Sequence, residues 1–264
     1  MFYSVIVRFR AREDIYFNYY PSESLHGMLF YLLKKRDAEK VDFLHDEYES
    51  KPFTISPIIP YLKWRNGKKY LKKGDKHFFR ITFLEDQWYK LFMEYFLYHR
   101  DELRLRGSKI EIIEVLTNSD EDKKCNSITP EKLRKESQTR QKIRIKIHST
   151  TTFRDDDRHI VFPRVNYLFN SLYSKWEEFS EQDLIIERED FNQIYVSRYD
   201  LKSAMEKFNE YPIKGFQGEC EYEIDSKLSK EKVKDLNLLA DFAFYSGVGY
   251  KTTMGLGQVA KVNK

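Results

Sequence analysis

Cysteine and long apolar runs are both scarce in this chain. Cys125 and Cys220 are the only cysteines among 264 residues, and their dissimilar contexts argue against a disulfide framework. No apolar run approaches the ~18 residues of a membrane-spanning helix. The opening MFYSVIVRFR is interrupted by Arg8, which favours a strand over a secretion signal. The sequence therefore predicts a cytoplasmic protein without a membrane partner.

Glycine is scarce too, but four of the ten glycines lie within positions 247–257 of the stretch GVGYKTTMGLGQV. This stretch fits neither of two familiar nucleotide-binding loops. Lys251 follows Tyr250, so the Gly-Lys pair of a P-loop is missing here. Thr252 stands where the third glycine of a dinucleotide fingerprint belongs, and a helical pattern precedes the loop where that fingerprint requires a strand. The clustered glycines need another explanation.

Positive charge is concentrated in one segment of the chain. The net charge is +4, yet residues 51–80 hold nine lysines and arginines against one aspartate, a net charge of +8. Aromatic side chains alternate with these charges: Tyr61, Trp64, Tyr70, Phe78 and Phe79. Single-stranded nucleic acids are bound by such a mixture of stacking and phosphate neutralisation. We therefore predict an RNA-binding hairpin with Lys68 and Lys69 at its centre; a solvated charged hairpin is the alternative.

Hydrophobic periodicity predicts the order β, α, β, β, α, β within residues 1–124. A strand is expected at 2–10 and a helix at about 22–35. A short second helix should begin after Asp37 as its N-cap. Strands near 53–59 and 78–84, a helix from Trp88 and a strand at 109–116 complete the first unit, 1–124.

Residues 125–139 are polar and predict a linker that contains a short helix after Pro130. The same order recurs over 140–264: a strand from Arg140, a helix opened by Pro163, strands near 193–198 and 216–224, a helix at 230–246 and a strand from Gly257. Two βαββαβ units predict an α+β protein of tandem ferredoxin-like domains, a topology shared with RNA-recognition (RRM) modules. The aromatic signature of those modules is absent, so the fold alone does not give the function.

The strand that opens the second unit places cations on one face and isoleucines on the other. The apolar face holds Ile143, Ile145 and Ile147, and the basic face predicts a second phosphate-binding surface formed by Arg140, Lys142, Arg144 and Lys146.

The glycine stretch has the pattern G-h-G-x5-G-h-G, where h is hydrophobic, between a predicted last helix and last strand. It resembles the repeat-associated RNA-binding superfamily of CRISPR systems, and within it the pre-crRNA processing endoribonucleases. The segments FTISPI (53–58), FPRVNYLFNSLYSKW (162–176) and GFQGECEYEI (215–224) resemble further blocks of that family, so the resemblance covers nearly the whole chain. It implies a loop whose backbone amides and basic side chain contact RNA phosphates, with Gly247, Gly249, Lys251, Gly255 and Gly257 as RNA-binding residues. A tight helix-to-strand turn is the alternative.

The resemblance also implies a reaction. Members of this family cut CRISPR repeats in pre-crRNA without metal or other cofactor, by attack of a 2′-OH on the adjacent phosphate, and leave a 2′,3′-cyclic phosphate and a 5′-OH. The implied partner is CRISPR repeat RNA or its crRNA product; association with a CRISPR effector complex and the oligomeric state stay open. In relatives a tyrosine on the first helix, a later histidine and a nearby lysine form the site, and Tyr31, His45 and Lys51 stand at matching positions. His45 would transfer protons, Lys51 would stabilise developing charge, and Tyr31 would position or protonate.

Several alternatives stay open. His26 is the rival catalytic histidine, although helical spacing places it and Tyr31 on opposite flanks of one helix. His45 also shares a stripe with Val41 and Leu44, as a packed histidine would. Residues 155–157 with His159 could suggest a metal site, but adjacent carboxylates in one loop are poorly placed to converge. The competing functions are a non-catalytic CRISPR RNA-binding subunit of the same superfamily and, more distantly, a tandem RNA-recognition protein unrelated to CRISPR.

Overall fold

The computed structural model describes residues 1–47, 50–98 and 102–262, without the side chains of residues 45–47. The chain divides into two compact units. The first comprises Met1–Ser127, Lys207–Tyr211 and Thr253–Gly255. The second comprises Ile128–Glu206, Pro212–Thr252 and Leu256–Lys264.

The elements of the first 128 residues form two sheets and three helices within the described part. The strands are β1 (Phe2–Ala11), β2 (Ile15–Phe17), β3 (Phe53–Ile55), β4 (Lys63–Arg65), β5 (Lys68–Leu71), β6 (Lys76–Phe83), β7 (Leu103–Leu105), β8 (Ser108–Leu116) and β9 (Asn126–Ile128). The helices are α1 (Pro21–Arg36), α2 (Ala38–Glu47) and α3 (Asp86–Tyr98). The larger sheet has the order β3-β6-β1-β8-β7, with β9 also paired to β1, and the smaller has the order β2-β5-β4.

Apolar spacing explains how α1 and α2 are held. Leu25, Leu29 and Leu32 are buried at helical spacing along α1, whose start carries proline in the first turn. Asp37 separates the two helices, and its Oδ1 accepts from the Lys40 backbone N–H at 3.0 Å. The predicted N-cap is thus confirmed, and it fixes where α2 begins.

The second unit is built on one four-stranded sheet. Its elements are α4 (Pro130–Glu136), β10 (Lys142–Thr151), β11 (Phe153–Asp155), β12 (Arg158–Ile160), α5 (Val165–Phe179), β13 (Ile194–Lys207), β14 (Pro212–Ile224), α6 (Lys230–Ser246) and β15 (Val259–Lys261). The sheet order is β13-β14-β10-β15, and β11 pairs with β12 as a separate hairpin. β10, which carries buried isoleucines, contacts α6, and α6 packs against α5; Phe169, Trp176 and Phe242 of these two helices are fully buried.

Both units share one strand order. Counting only the strands of the βαββαβ pattern, β8-β1-β6-β3 and β15-β10-β14-β13 each place the strands fourth, first, third and second. Tandem ferredoxin-like domains are therefore confirmed as the fold class.

Some bounds differ from those expected from the sequence. The helix after Pro163 begins at Val165, β3 ends at Ile55, and the strands β13 and β14 extend well beyond 193–198 and 216–224. The segment 125–139 contains the expected helix, α4, and also β9.

Candidate active site and nucleic-acid interface

Tyr31 lies on the exposed side of α1. Its side chain is 45% exposed, and the Lys35 ammonium lies 5.5 Å from the centre of its ring. The phenol can therefore reach a ligand from solvent without repacking of the core.

Lys51 is anchored to the end of α2. Its Nζ donates to the carbonyl oxygen of Leu44 at 2.7 Å. Leu44 is buried in the helix that also carries His45 on its backbone. The side chain of His45 lies outside the described residues, so the distance between the two predicted catalytic groups stays a prediction. A second tie holds this region, because Lys34 of α1 pairs with Asp42 of α2 at 2.6 Å.

His26, the rival histidine, is half-buried and held in a mixed environment. Its Nδ1 lies 3.1 Å from the carbonyl oxygen of Thr253, which belongs to the same compact unit. Its ring centre lies 4.7 Å from that of Phe30 and 6.1 Å from that of Phe53. These contacts give His26 a packing role.

The basic hairpin forms the small sheet β2-β5-β4, whose aromatic and cationic side chains contact one another. Tyr70 pairs across strands with both Tyr16 and Lys63, and the Tyr16 and Tyr70 rings stack at 5.7 Å. The Lys69 ammonium lies 5.2 Å from the ring of Tyr20 and 5.8 Å from that of Trp64. Trp64 is 68% exposed. This surface, residues 15–17 and 63–71, is termed the aromatic-basic sheet.

One ion pair of the aromatic-basic sheet joins two exposed groups. Arg65 reaches Asp14 only at 3.7 Å, with both groups exposed. An exposed pair at that distance contributes little and is readily exchanged for a phosphate contact.

The basic face of β10 is, by contrast, matched by carboxylates of β14. The strand register places Lys142, Arg144 and Lys146 opposite Glu223, Glu221 and Glu219. The shortest pair joins Arg144 to Glu221 at 2.7 Å, and it lowers the pKa of the Glu221 carboxyl. The outer pairs are longer, 3.3 Å for Lys142–Glu223 and 4.0 Å for Lys146–Glu219. This face therefore carries a balanced charge.

The glycine-rich loop uses most of its backbone donors within the protein. Val248 donates to Gly257, Gly249 to the Ser171 hydroxyl, Tyr250 to Thr152, and Gly257 to Thr150, all at 2.9–3.1 Å. Of the four glycines that the resemblance assigns to RNA binding, Gly249 and Gly257 thus have engaged backbone N–H groups, and the N–H of Gly247 donates to Ala243 at 3.0 Å. The glycines instead allow a close backbone approach, since a Cβ on Gly249 would collide with the carbonyl oxygen of Thr152.

Basic side chains remain at the surface of this loop. Lys251 has a left-handed backbone with φ of +54°, and its ammonium lies 5.6 Å from the ring of Tyr250. The Arg154 guanidinium lies 5.2 Å from the same ring. Lys251 can thus offer a positive charge to a phosphate at this loop, whereas several backbone N–H groups of the loop are engaged within the protein.

A buried lysine supports the loop from beneath. Lys175 of α5 donates to the carbonyl oxygens of Ser246 at 2.8 Å and Gly247 at 3.4 Å, at the C-terminal end of α6. A cation is favoured at that end of a helix. Burial nevertheless disfavours the charge and lowers the pKa of Lys175 to about 8.

The acidic turn of residues 155–157 is engaged by its neighbours. Asp155 accepts from the Tyr167 hydroxyl and so raises the pKa of that phenol, and Asp157 pairs with Arg154 at 3.4 Å. Among the described residues, no group of three or more His, Cys, Asp or Glu side chains is placed to hold a metal ion. In the same described ranges, no helix is long and apolar enough to cross a membrane.

Sequence reasoning missed three groups. Tyr16 lies in a short strand that periodicity does not reveal, and Lys175 falls on a helix stripe that is otherwise apolar. The carboxylates of β14 were detectable, because GECEYEI alternates Glu219, Glu221 and Glu223 just as β10 alternates its cations.

Comparison with known proteins gives concordant matches. The model of the CRISPR Cas6 N-terminal domain matches residues 1–135, and that of the CRISPR-associated endoribonuclease Cas6 matches residues 145–259. A CRISPR-associated endoribonuclease Cas6 from Streptococcus thermophilus is 24% identical over 260 residues, 91% of this chain and 92% of that protein. A solved product complex of a Thermus thermophilus Cas6 has a TM-score of 0.84 and 25% identity, covering 99% of this chain and 100% of the other. A Cas6-related protein of Pyrococcus furiosus shares the fold with a TM-score of 0.68 and 14% identity over the full length of both chains.

Proposed function

Because the chain belongs to the CRISPR-associated Cas6 family, we propose that it is an endoribonuclease that binds and cleaves CRISPR repeat RNA within pre-crRNA to produce mature crRNA. The observation that carries this proposal is the likeness along the whole chain to a Cas6 solved as a product complex. The conclusion rests on both ferredoxin-like units and not on a single motif.

The reaction is an attack of the 2′-OH on the adjacent phosphate, which yields a 2′,3′-cyclic phosphate and a 5′-OH. It needs a group that removes the 2′-OH proton, a group that protonates the leaving 5′ oxygen, and a cation beside the phosphorane. His45 serves as the proton-transfer residue, because imidazole titrates near neutral pH. Lys51 stabilises the developing negative charge, and Tyr31 positions the phosphate or donates a proton. No step requires a metal ion or another cofactor.

The contacts of the described residues support this assignment of roles. Lys51 is held at the end of α2 by the carbonyl of Leu44, the residue before His45. Tyr31 is exposed on α1, and the Lys34–Asp42 pair ties that helix to α2. Asp42 precedes His45 by three residues of the same helix. All these positions lie within one compact unit, so no rearrangement between units is needed to bring them to one phosphate.

The RNA backbone is bound chiefly by the aromatic-basic sheet. Lys68 and Lys69 supply charge within the segment 51–80, whose net charge is +8, and Trp64 and Tyr70 offer faces on which bases stack. Lys142, Arg144 and Lys146 of β10 contribute less because β14 matches their charge, and Arg140, which precedes β10, adds one further cation. Lys251 adds a contact at the glycine-rich loop.

The test is cleavage of the repeat RNA from the locus that encodes the chain. We expect one cut per repeat that is undiminished in EDTA, with a 2′,3′-cyclic phosphate on the upstream product. A single 2′-deoxy substitution 5′ of the cut should abolish cleavage while it preserves binding. Loss of cleavage in EDTA would overturn the mechanism. Tight binding without any cleavage would instead identify a non-catalytic CRISPR RNA-binding subunit.

A further inference from the structure

A pocket of about 520 Å³ opens beside the glycine-rich loop, within the second unit, and the proposed reaction does not use it. It is lined by β11, by successive turns of α5 and by the loop, through Phe153, Arg154, Asn166, Tyr167, Asn170 and Tyr250. Its volume falls within the range of about 300–1,000 Å³ that is usual for ligand pockets.

Aromatic rings form the walls of this pocket. The rings of Phe153 and Tyr167 stack at 5.8 Å with an interplanar angle of 30°. Tyr250 closes another side, and the Arg154 guanidinium lies 5.2 Å from its ring. Unstacked RNA bases bind to proteins between such aromatic and guanidinium planes.

Polar groups of the pocket are fixed from outside it by Arg188. The Arg188 guanidinium donates to Asn170 Oδ1 at 3.0 Å and to the Ser174 hydroxyl at 3.1 Å. It also lies 4.5 Å from the ring of Tyr173. Because Asn170 Oδ1 is engaged, its amide nitrogen is turned away from Arg188 and its orientation is set before any ligand arrives. Preorganised amides of this kind read the hydrogen-bonding edge of a base.

The charged side chains around the pocket indicate which part of a nucleotide it would bind. Arg154 and Lys251 contribute two positive charges, and Asp157, 3.4 Å from Arg154, and Asp155, bound to Tyr167, contribute two negative ones. A pocket of nearly balanced charge is poorly suited to a di- or triphosphate. It suits a neutral planar ring whose single phosphate stays at the rim, near Lys251.

We propose that this pocket binds one unstacked nucleobase of a single-stranded segment of the RNA. The proposal deepens the function proposed above and rests on it for the identity of the strand. Tyr167, which is stacked on the buried Phe153, and Tyr250 provide the stacking faces. Asn166 and Asn170 read the base edge, and Arg188 is a positioning residue for Asn170.

The test uses single-stranded RNA tetranucleotides that carry one 2-aminopurine, whose fluorescence is quenched by stacking. We expect quenching by the full-length protein, and Tyr250→Ala should weaken binding about 5- to 100-fold, the usual cost of losing one stacking partner. Tyr250→Phe retains the ring and should bind within a few-fold of the unsubstituted protein. Tyr195→Ala removes an exposed tyrosine of the same unit away from the pocket and serves as the matched control. Arg188→Met should reduce discrimination among tetranucleotides of different base more than it reduces their mean affinity.

The outcomes separate this inference from the proposed function. Equal binding by Tyr250→Ala and the unsubstituted protein, with cleavage of repeat RNA intact, would overturn the pocket and leave the endoribonuclease. Binding that depends on Tyr250, in a protein that does not cleave repeat RNA, would support the pocket and overturn the endoribonuclease function. Tighter binding of AMP or UMP than of any tetranucleotide would identify a site for free mononucleotides and overturn the assignment to an RNA strand.

Discussion

The ammonium of Lys51 lies 2.7 Å from the carbonyl oxygen of Leu44, at the last turns of the helix that carries His45. A helix C-terminus bears partial negative charge, so this contact holds a cation in place without neutralising it fully. A charge that is already positioned needs little reorganisation when a phosphorane forms beside it.

Replacement of Lys51 should slow the chemical step more than it weakens binding. We expect Lys51→Ala to lower the single-turnover cleavage rate about 10²- to 10³-fold, as loss of one oxyanion-stabilising donor does. Lys51→Arg retains the charge and should recover part of that rate. Thermal unfolding of both variants provides the control, because Lys51 also caps α2. A Lys51→Ala protein with a normal rate would remove this residue from the site.

Substitution of the two candidate histidines should affect different properties, the cleavage rate for His45 and the thermal stability for His26. His45→Ala should lower the single-turnover rate about 10²- to 10⁴-fold, the usual contribution of general acid–base catalysis, while RNA affinity stays within a few-fold. His26→Ala should chiefly lower thermal stability, because it removes the contact with Thr253 and the ring contacts with Phe30 and Phe53. Single-turnover cleavage of bound repeat RNA separates chemistry from binding. The reverse ranking of rates would place the active site at His26.

Salt dependence should distinguish the two basic surfaces. Lys68→Ala with Lys69→Ala should reduce the slope of log affinity against log salt by about one unit for each lost phosphate contact. Lys142→Ala with Lys146→Ala removes the same number of charges from a face that β14 already balances, and we expect a smaller change. The measurement is equilibrium binding of repeat RNA at several salt concentrations. An unchanged slope in the first pair would show that the aromatic-basic sheet is only a solvated surface.

The glycine-rich loop should be sensitive to size at two positions. Gly249 has φ of +77° beneath the Thr152 carbonyl, and Gly255 has φ of +88° against the Ser22 side chain. Valine at either position should lower the free energy of unfolding by about 1–3 kcal/mol from backbone strain, and the steric clash should lower it further. Lys251→Ala should weaken RNA binding and leave that free energy unchanged. Gly255→Val with normal stability and binding would show that the loop is a tolerant turn.

The buried ammonium of Lys175 should leave a signature in alkaline solution. Its pKa in the folded protein is about 8, whereas the unfolded chain keeps the proton up to the ordinary value of 10.5. Between these values the unfolded chain binds more protons, so this group makes the folded protein more stable as pH rises. The full difference corresponds to about 3 kcal/mol. Below about pH 8 both states are charged, and this contribution is flat.

Denaturant unfolding at pH 7.5 and at pH 10 would test this expectation. The change in stability between the two conditions should be more favourable for the unsubstituted protein than for Lys175→Met, in which that titration is absent. Other groups that titrate in this range are common to both proteins and cancel in the comparison. Parallel profiles would show that Lys175 titrates at its ordinary pKa.

The sequence predicted the elements with strong periodicity and predicted exposed polar strands poorly. The bounds of α6 follow directly from its apolar stripe and from Ser229, whose hydroxyl accepts from Lys232 at its N-terminus. By contrast, β13 is polar or exposed along most of Tyr195–Lys207, so its start near residue 194 was predicted but its extension from 199 to Lys207 was not. The strand forms because it pairs with β14, which follows it closely along the chain, and its exposed polar side chains give no alternating apolar pattern.

The candidate site shows the same division. Tyr31, His45 and Lys51 were selected through the family resemblance, and their joint action on one phosphate stays a prediction. The use of the loop amides could not be predicted, because it depends on where Thr150, Thr152 and Ser171 lie in space. The balance of charge on β10 depends on strand register. A shift of one residue would move the glutamates of β14 to the opposite face of the sheet.

Glu219, Glu221 and Glu223 have a consequence for how strongly the sheet that contains β10 and β14 can bind a nucleic acid. Three carboxylates at alternate positions along β14 lie beside the cations of β10, where they compete with any phosphate for those cations. These carboxylates lie on a sheet whose topology is shared with RNA-recognition modules. A phosphate that binds to Arg144 must displace a carboxylate that the chain itself holds beside it, so we expect this face to bind a nucleic-acid backbone more weakly than its number of cations suggests.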